Sequence, residues 1–375
     1  MKGVGVRRRR GLVGVLVAAG LLVSACASDH VGISPEAPLF LGQSDGIAWP
    51  VRTTVWPTFD TAKDPRISQY LPLNKAEKVW TICVSVPTRS VEYYESILIG
   101  ARTQAKAARV SIKVVSGGPT TTSASQAKFT KNCAAQTQAL LLVPVLDANA
   151  NESYASLLAS QKSAGKPVVV TSPGVDSTAI TSSVAPVLRL GSRQLGFWLN
   201  ASANTRPGKV IVLAGPQGSP QVESLVSGLR STFPGSSLSL AGIYYGSLSP
   251  ASQAALTRRA IAEHPDAQYI VGVASAIVAA AKTLNVTMSS HYVLASFTYT
   301  EAISKMIPVG EVAVAIDDRT VAQGAMAVDQ NIRRLQGQVL PAVTAPAVQI
   351  IDRTSITYAD QTGSLPSVLA ANESR

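Results

Sequence analysis

The most constraining feature of this sequence is an alternation between two kinds of segment, repeated from residue 78 to residue 351. Short apolar segments rich in β-branched residues, such as 81–86 (TICVSV), 168–170 (VVV) and 210–213 (VIVL), alternate with amphipathic stretches of helical periodicity. Continuous apolar strands separated by amphipathic helices are typical of parallel sheets that are covered by helices on both faces. The pattern therefore predicts an α/β fold.

The number of predicted strands sets the number of lobes. The strand candidates include less regular segments such as 184–190 (VAPVLRL) and 347–351 (AVQII), which gives about ten strands in all, too many for one small doubly wound domain. Two doubly wound parallel-sheet lobes fit the length of 375 residues better.

The N-terminus predicts export and a lipid anchor. Residues 1–25 consist of a basic segment (MKGVGVRRRR) and an apolar run (GLVGVLVAAGLLVSA), and Cys26 follows directly. This order predicts a signal peptide, and its end resembles the lipobox of bacterial lipoproteins, in which the cysteine receives the lipid and becomes the mature N-terminus. An uncleaved membrane anchor is the alternative, although the apolar run is short for a membrane span. We expect an extracytoplasmic protein that is attached to the cell membrane through Cys26.

The charge distribution argues against a nucleic-acid partner. Five positive charges and no acids lie in residues 1–25, so removing this segment lowers the formal net charge from +11 to +6. The remaining positive charges are dispersed and do not interleave with aromatic residues as they do in nucleic-acid-binding surfaces.

Signatures of catalysis are missing from the sequence. It contains no G-x-S-x-G, H-E-x-x-H, P-loop or G-x-G-x-x-G motif, and its histidines do not stand at metal-ligand spacing from other ligating residues. The sequence therefore predicts neither an enzyme nor a cofactor or metal site.

The ends of the chain differ in composition from the alternating body. Residues 26–77 begin with a segment rich in Pro, Gly, Asp and Ser and continue with two tryptophans. We interpret 26–77 as a tether followed by an arm that packs on the body, and 357–375 as a C-terminal tail.

Aromatic residues follow several predicted strands. In doubly wound sheets, ligands bind beyond the carboxyl ends of the strands, so these residues are candidate ligand-binding groups. Adjacent residues on a helix do not share a face, so we expect one of Tyr93 and Tyr94 to pack in the core and the other to face a cleft; packing in the core alone is the alternative. The candidates are Tyr93 and Tyr94 after the first strand, Tyr244 and Tyr245, and Phe297, Thr298 and Tyr299.

Two acids and two cysteines each allow two interpretations. Glu223 is a candidate partner of a cationic ligand, but a carboxylate near the start of a helix also suits the helix dipole. Asp318 is a ligand candidate as well, although its place before a predicted helix favours an N-cap. With Cys26 lipidated, Cys83 and Cys133 form an even pair in an oxidising compartment, either as a disulfide or as free, buried thiols.

Three stretches carry a resemblance to a known family. They are ICVSVPTRSVEYYESILIGA from residue 82, the segment from LAGPQGSP to AIVAA over 213–280, and the segment from ASFTYTEAISKM to NIRRLQGQ over 295–338. In order and spacing they resemble the type I periplasmic binding proteins of the ribose-binding-protein-like group, and most closely the TorT-like proteins of trimethylamine N-oxide respiratory systems, which also have cysteines at the positions of Cys83 and Cys133.

The resemblance implies a Venus-flytrap architecture, in which three hinge crossovers join two lobes that close on a ligand. Residues 78–186 and 317–342 would form the first lobe, and 187–316 and 343–356 the second.

The resemblance also bears on the ligand. Sugar-binding members stack the sugar on aromatic residues at the positions of Tyr93 and Tyr94. They also read sugar hydroxyls with charged or amide side chains at positions that are here Ser172-Pro173, Ala274 and Thr298. Without these groups the hydroxyls of a buried monosaccharide would stay unpaired. We therefore expect a small ligand that is mostly apolar or cationic.

These features predict a lipid-anchored solute-binding protein for an ABC-type importer, with the permease as its protein partner. A TorT-like accessory that reports ligand occupancy to a membrane histidine kinase is the second reading. A structural envelope lipoprotein with a degenerate cleft is the third.

Overall fold

The computed structural model describes residues 49–54, 66–171, 175–203, 207–288 and 290–356. Within these ranges the chain forms two α/β lobes, as the sequence predicted. The strands are β1 (Trp49–Thr54), β2 (Arg66–Tyr70), β3 (Thr81–Thr88), β4 (Ser111–Gly117), β5 (Ala139–Leu142), β6 (Val168–Val170), β7 (Ser182–Val184), β8 (Gly208–Leu213), β9 (Leu238–Tyr244), β10 (Tyr269–Gly272), β11 (Val293–Ser296), β12 (Val314–Asp317), β13 (Val343–Pro346) and β14 (Gln349–Asp352).

Helices connect most of the parallel strands. They are α1 (Glu92–Ala108), α2 (Ser123–Ala135), α3 (Ala150–Ser163), α4 (Leu188–Ala203), α5 (Pro220–Arg230), α6 (Pro250–Glu263), α7 (Ala274–Leu284), α8 (Glu301–Met306) and α9 (Thr320–Leu335). Several begin with the caps that their sequences favour: Thr122 and Ser125 form a capping box at α2, and α5 and α6 each begin with a proline.

The first lobe is built on an eight-stranded sheet of order β2-β1-β13-β7-β6-β5-β3-β4. The six strands from β13 to β4 are parallel, while β1 and β2 extend the sheet as antiparallel strands. One face packs against α1 and α9, and the other against α2 and α3. Coverage on both faces explains why its central strands are apolar along their whole length.

The second lobe is built on a six-stranded sheet of order β14-β12-β11-β10-β8-β9. Its strands are parallel except β14, which pairs antiparallel with β12. Helices α6, α7 and α8 cover one face, and α4 and α5 cover the other. Each lobe therefore has its own core on both sides of its sheet.

The chain crosses between the lobes at three places: between β7 and α4, between β12 and α9, and between β13 and β14. The last crossing differs from the sequence-based boundary, which assigned all of 343–356 to the second lobe. Strand β13 pairs with β1 and β7 in the first sheet, so the crossing falls between Pro346 and Gln349. The prediction of a strand over 184–190 was also wrong, because β7 ends at Val184 and α4 begins at Leu188.

A buried carboxylate holds the N-terminal arm against the first lobe. Asp329 on α9 accepts hydrogen bonds from the hydroxyl of Tyr70 and, at 2.7 Å, from the backbone N–H of Leu73. Arg333 completes the group by donating through Nε to Asp329 at 2.6 Å. Pairing with Arg333 offsets the cost of burying this carboxylate, so the group anchors the end of the arm.

A disulfide links strand and helix in the first lobe. Cys83 on β3 is bonded to Cys133 on α2, with a Cα–Cα distance of 5.7 Å. The strand order β4-β3-β5 makes this contact possible, because α2 connects β4 to β5 and so passes over β3. Both cysteines are buried.

Two glycines allow α1 and α9 to pack closely. A Cβ atom on Gly100 would lie 1.8 Å from the carbonyl oxygen of Val321, and one on Gly324 would lie 1.9 Å from that of Ile97. The helix backbones are therefore in direct contact. Because α1 begins beside the carboxyl end of β3 and α9 begins at a crossing, this contact sets the distance between those two points.

Candidate functional site

The carboxyl ends of the two sheets face each other. Glu92, at the start of α1 in the first lobe, accepts a hydrogen bond from the backbone N–H of Glu301, at the start of α8 in the second. Since α1 follows β3 and α8 follows β11, this bond joins the two lobes at the edges where doubly wound sheets bind ligands. Burial is the main reason that the pKa of Glu92 is raised.

Tyr93 and Tyr94 form an edge-to-face pair at this edge. Their ring centroids are 5.5 Å apart and their planes are inclined by 83°, an arrangement favoured between aromatic rings. Both tyrosines contact the core of the first lobe and remain half-buried. Burial raises the pKa of both hydroxyls, and that of Tyr93 is raised further by the nearby Asp318 carboxyl.

Two adjacent acids lie at the crossing from β12 to α9. The carboxylate of Asp317 accepts a hydrogen bond from the backbone N–H of Arg319 at 2.8 Å and pairs with its guanidinium at 3.5 Å. Asp318 is buried as well, and desolvation, with a smaller contribution from the charge of Asp317, raises its pKa to about 8. Asp317 is therefore paired with the guanidinium of Arg319, whereas no basic side chain of the described residues is paired with Asp318.

The N-cap interpretation of Asp318 was wrong. The N-cap of α9 is Arg319, which has a positive φ of 61° and makes no side-chain capping bond. The left-handed conformation at Arg319 separates Asp318 from the first turn of the helix. The backbone carbonyl of Asp318 accepts a hydrogen bond from Gln323 at 2.7 Å, which leaves the Asp318 carboxyl outside the capping interactions.

Buried acceptors without hydrogen-bond partners gather around this crossing. In the described part of the chain they include Oδ2 of Asp317, which lies 3.5 Å from the guanidinium of Arg319 without a hydrogen bond, and Oε1 of Gln323. A buried polar atom without a partner costs about 1–3 kcal/mol, so it calls for an explanation. A ligand that carries hydrogen-bond donors or a positive charge would satisfy these atoms.

The aromatic residues after β11 pack in the core. Phe297 is 1% exposed and lies in the core beneath α4 and α5, whereas Tyr299 is 4% exposed and lies in the core beneath α6, α7 and α8. Thr298, between them, is half-buried. This arrangement leaves Thr298 as the accessible member of this predicted group.

The other predicted residues of the second lobe lie apart from the tyrosine pair. Tyr244 packs against α6, where its hydroxyl donates to Glu263 at 2.5 Å. Tyr245 is half-buried on the opposite face of the sheet, and Glu223 is exposed. Glu223 lines a shallow groove of about 350 Å³ that runs along α5 as far as Ser231. No hydrogen bond joins Glu223 to Tyr93 in the part of the chain that the structure describes.

Some predicted features lie outside the described residues. Cys26, Ser172 and Pro173 are outside the described ranges. Across those ranges we find no group of three or more His, Cys, Asp or Glu side chains arranged to hold a metal ion. A helix long and apolar enough to span a membrane is likewise missing from the described ranges.

Sequence reasoning missed Glu92, Asp317 and Gln323 as residues of this edge. One signal for the acids was available, because two adjacent aspartates follow the apolar segment VAVAI directly. Charged residues at the carboxyl end of a parallel strand are candidates for ligand contact. The contribution of Glu92 depends on the second lobe, so no local pattern could have identified it.

Two lobes whose carboxyl edges face each other across a hinge define a bilobed solute-binding protein. Comparison with known families agrees, because the periplasmic binding protein domain matches residues 82–338. The chain belongs to the periplasmic binding protein family. This is a family of ligand-binding proteins of transport and sensor systems and not a family of enzymes.

Individual relatives fit the resemblance noted in the sequence. The periplasmic protein TorT of Escherichia coli O157:H7 is 26% identical over 283 residues, which cover 75% of this chain and 80% of TorT. An ABC transporter solute-binding protein from Bradyrhizobium sp. BTAi1, solved with bound bis-tris, has a TM-score of 0.74 and 25% identity and covers 87% of this chain and 97% of its own. In fold, the chain also resembles a structure of the TorS sensor domain–TorT complex without ligand, with a TM-score of 0.65, 20% identity and coverage of 76% and 96%.

Proposed function

We propose that this chain is an extracytoplasmic, lipid-anchored solute-binding protein that captures a small molecule between its lobes and delivers it to an ABC-type importer. Residues 1–25 would be the signal peptide, Cys26 the lipidated N-terminus and the segment up to the arm the tether. The Bradyrhizobium relative, which is described as an ABC transporter solute-binding protein and aligns with 97% of its own length, supports the transport role.

The observation that carries the proposal is the meeting of the two carboxyl edges. The hydrogen bond from Glu301 to Glu92 joins the lobes beside Tyr93 and Tyr94. A ligand held there would touch both lobes at once, and only contacts that differ between open and closed forms can drive closure. We propose Tyr93, Tyr94 and Thr298 as residues that line the ligand, with Phe297 and Tyr299 supporting them from the core.

A screen of ligands by thermal shift tests the proposal. Purified full-length protein is melted with amines, small osmolytes, sugars and purines, and a true ligand raises the melting temperature. Tyr93→Ala and Tyr94→Ala should each weaken binding of that ligand at least tenfold, which is about 1.4 kcal/mol. Phe197→Ala is the matched control, because Phe197 is an exposed aromatic residue on α4. If both tyrosine variants bind like the wild type, the pair only packs the core.

A sensor accessory is the second candidate function. The relationship to TorT favours it, because a structure of TorT with the TorS sensor domain has the same fold as this chain. Affinity purification of the native protein from its own membranes, with ligand present, separates the two functions. Recovery of a permease and its ATPase supports transport, whereas recovery of a histidine kinase supports sensing.

A further inference from the structure

We propose that the ligand of this cleft is a small organic cation, and that its positive charge replaces a proton on the carboxyl group of Asp318. The inference rests on the proposed solute-binding function and assigns the chemical class of the solute. For a permanent cation the exchange is balanced: the cation enters, the carboxyl group becomes a carboxylate, and one proton leaves to solvent.

The first observation is the contrast between Asp318 and the other buried aspartates of the described chain. Asp329 is paired with Arg333 at 2.6 Å, and Asp317 is paired with Arg319 at 3.5 Å. Asp318 is 3% exposed, and no basic side chain of the described residues lies within ion-pair distance of it. Burial of an ionised carboxylate is costly unless it is paired. The environment of Asp318 therefore suits a carboxylate whose positively charged partner is a bound ligand.

The second observation is the position of Asp318. It lies at the crossing between β12 and α9, where a bound molecule would touch both lobes. It takes no part in capping α9, and the buried acceptor atoms of Asp317 and Gln323 lie beside it.

The third observation is an aromatic neighbour. Tyr93 is close enough to Asp318 for the Asp318 carboxyl to raise the pKa of the tyrosine hydroxyl. Aromatic faces beside a carboxylate are a recurrent way to bind ammonium groups.

The charged and titratable neighbours of Asp318 favour its protonated form when no cation is bound. Asp317 is the ionisable neighbour whose charge disfavours a negative charge on Asp318. Tyr93 also lies near, but its own pKa is raised well above its usual value, so its hydroxyl stays neutral. Arg319 is engaged by Asp317. With a pKa of about 8, the carboxyl group of Asp318 favours its neutral form at pH 7 when no cation is bound. A cation stabilises the ionised form and lowers this pKa.

Linkage then fixes how affinity depends on pH. Below pH 8 the proton competes with the cation for Asp318. The affinity for a permanent cation should therefore fall about tenfold for each unit by which the pH is lowered below 8, and it should not change with pH above 8. A neutral ligand releases no proton and would not show this slope. Choline and 3,3-dimethylbutan-1-ol, its uncharged isostere, are matched probes for the comparison.

The pH dependence of the melting temperature of the ligand-free protein gives a test that needs no ligand. The pKa of Asp318 is higher in the folded than in the unfolded chain, so its contribution to stability is lost progressively as pH rises from about 4 to about 8. Asparagine does not ionise, so the Asp318→Asn variant should not lose this stability as the pH rises. The variant should melt at a higher temperature than the wild type at pH 9 and at a similar temperature near pH 5. Asp329→Asn is the contrasting control, because it leaves Arg333 unpaired and should lower the melting temperature at both pH values.

The experiment measures melting and binding of the full-length protein and these two variants. The proposal expects choline or tetramethylammonium to stabilise the wild type with the stated pH slope, the uncharged isostere and D-ribose to have no effect, and Asp318→Asn to weaken cation binding at least tenfold. Stabilisation by sugars alone, without a pH slope, overturns the cation assignment and leaves solute binding intact. No stabilisation by any compound of either class overturns both. Equal melting of Asp318→Asn and the wild type at pH 9 overturns the role of Asp318 independently of any ligand.

Discussion

The contact between α1 and α9 gives a direct test of how packing positions the site. We predict that Gly324→Ala destabilises the first lobe and weakens ligand binding. The added Cβ would lie 1.9 Å from the carbonyl oxygen of Ile97, whereas ordinary Cβ contacts begin at 3.4 Å. The helices would have to separate by roughly 1.5 Å in an interior that is packed like a crystal.

The size of the effect follows from what the new methyl group meets. Overpacking of a core costs about 1–3 kcal/mol, and a backbone carbonyl cannot rotate away as a flexible side chain would. We therefore expect the upper end of this range, about 3 kcal/mol, which lowers the melting temperature by about 6–12 °C at 2–4 °C per kcal/mol. Separation of α1 from α9 would also move Tyr93 away from Asp318.

The assay is thermal unfolding of the full-length protein, followed by circular dichroism, together with ligand titration. Gly118→Ala is the matched control, because a Cβ atom at Gly118 would meet nothing within 4 Å. It should melt like the wild type. The reasoning is refuted if Gly324→Ala melts within 1–2 °C of the control, about the effect of a small surface change.

Three further predictions concern the anchor, the disulfide and the contact between the lobes. Cys26→Ser should move the protein from the membrane fraction to the soluble fraction or block its processing; a membrane-bound, processed variant would exclude lipidation at Cys26. Double substitution of Cys83 and Cys133 by Ala should cost about 2–4 kcal/mol in denaturant unfolding, and two free thiols detected by mass spectrometry in the exported, non-reduced protein would contradict the bond. Glu92→Ala should lose about 1 kcal/mol of ligand-induced stabilisation, whereas Glu92→Gln, which keeps an acceptor for the N–H of Glu301, should lose little; equal losses would mean that the hydrogen bond is not part of closure.

The sequence predicted the architecture because each α/β unit has its own local signature. Apolar strands and amphipathic helices are visible without knowledge of their neighbours. Strand β13 was misassigned because its partners β1 and β7 are remote in sequence, and pairing of that kind has no local signal. The helical start at Leu188 was missed because the apolar segment that contains it continues directly from β7, and Pro186 was the only local sign of a break.

The site was predicted less completely than the fold. Position after a strand identified Tyr93 and Tyr94, but it could not tell which aromatic residues face a cleft, and Phe297 and Tyr299 lie in the core. Asp318 has the local sequence of an N-cap. The left-handed backbone at Arg319 excludes the cap, and no local signal predicts this conformation because residues other than glycine rarely adopt it.

The most direct test of the central claim is a distance measured between the lobes. Thr120 follows β4 in the first lobe and Leu248 follows β9 in the second, and both are exposed, so cysteines at these positions can carry spin labels. Double electron–electron resonance should give a shorter and narrower distance distribution when the compound with the largest melting shift is added at saturation. The Asp318→Asn variant should need at least tenfold more of the compound for the same change. A distribution that stays the same while calorimetry shows the compound bound would contradict capture by closure of the two lobes.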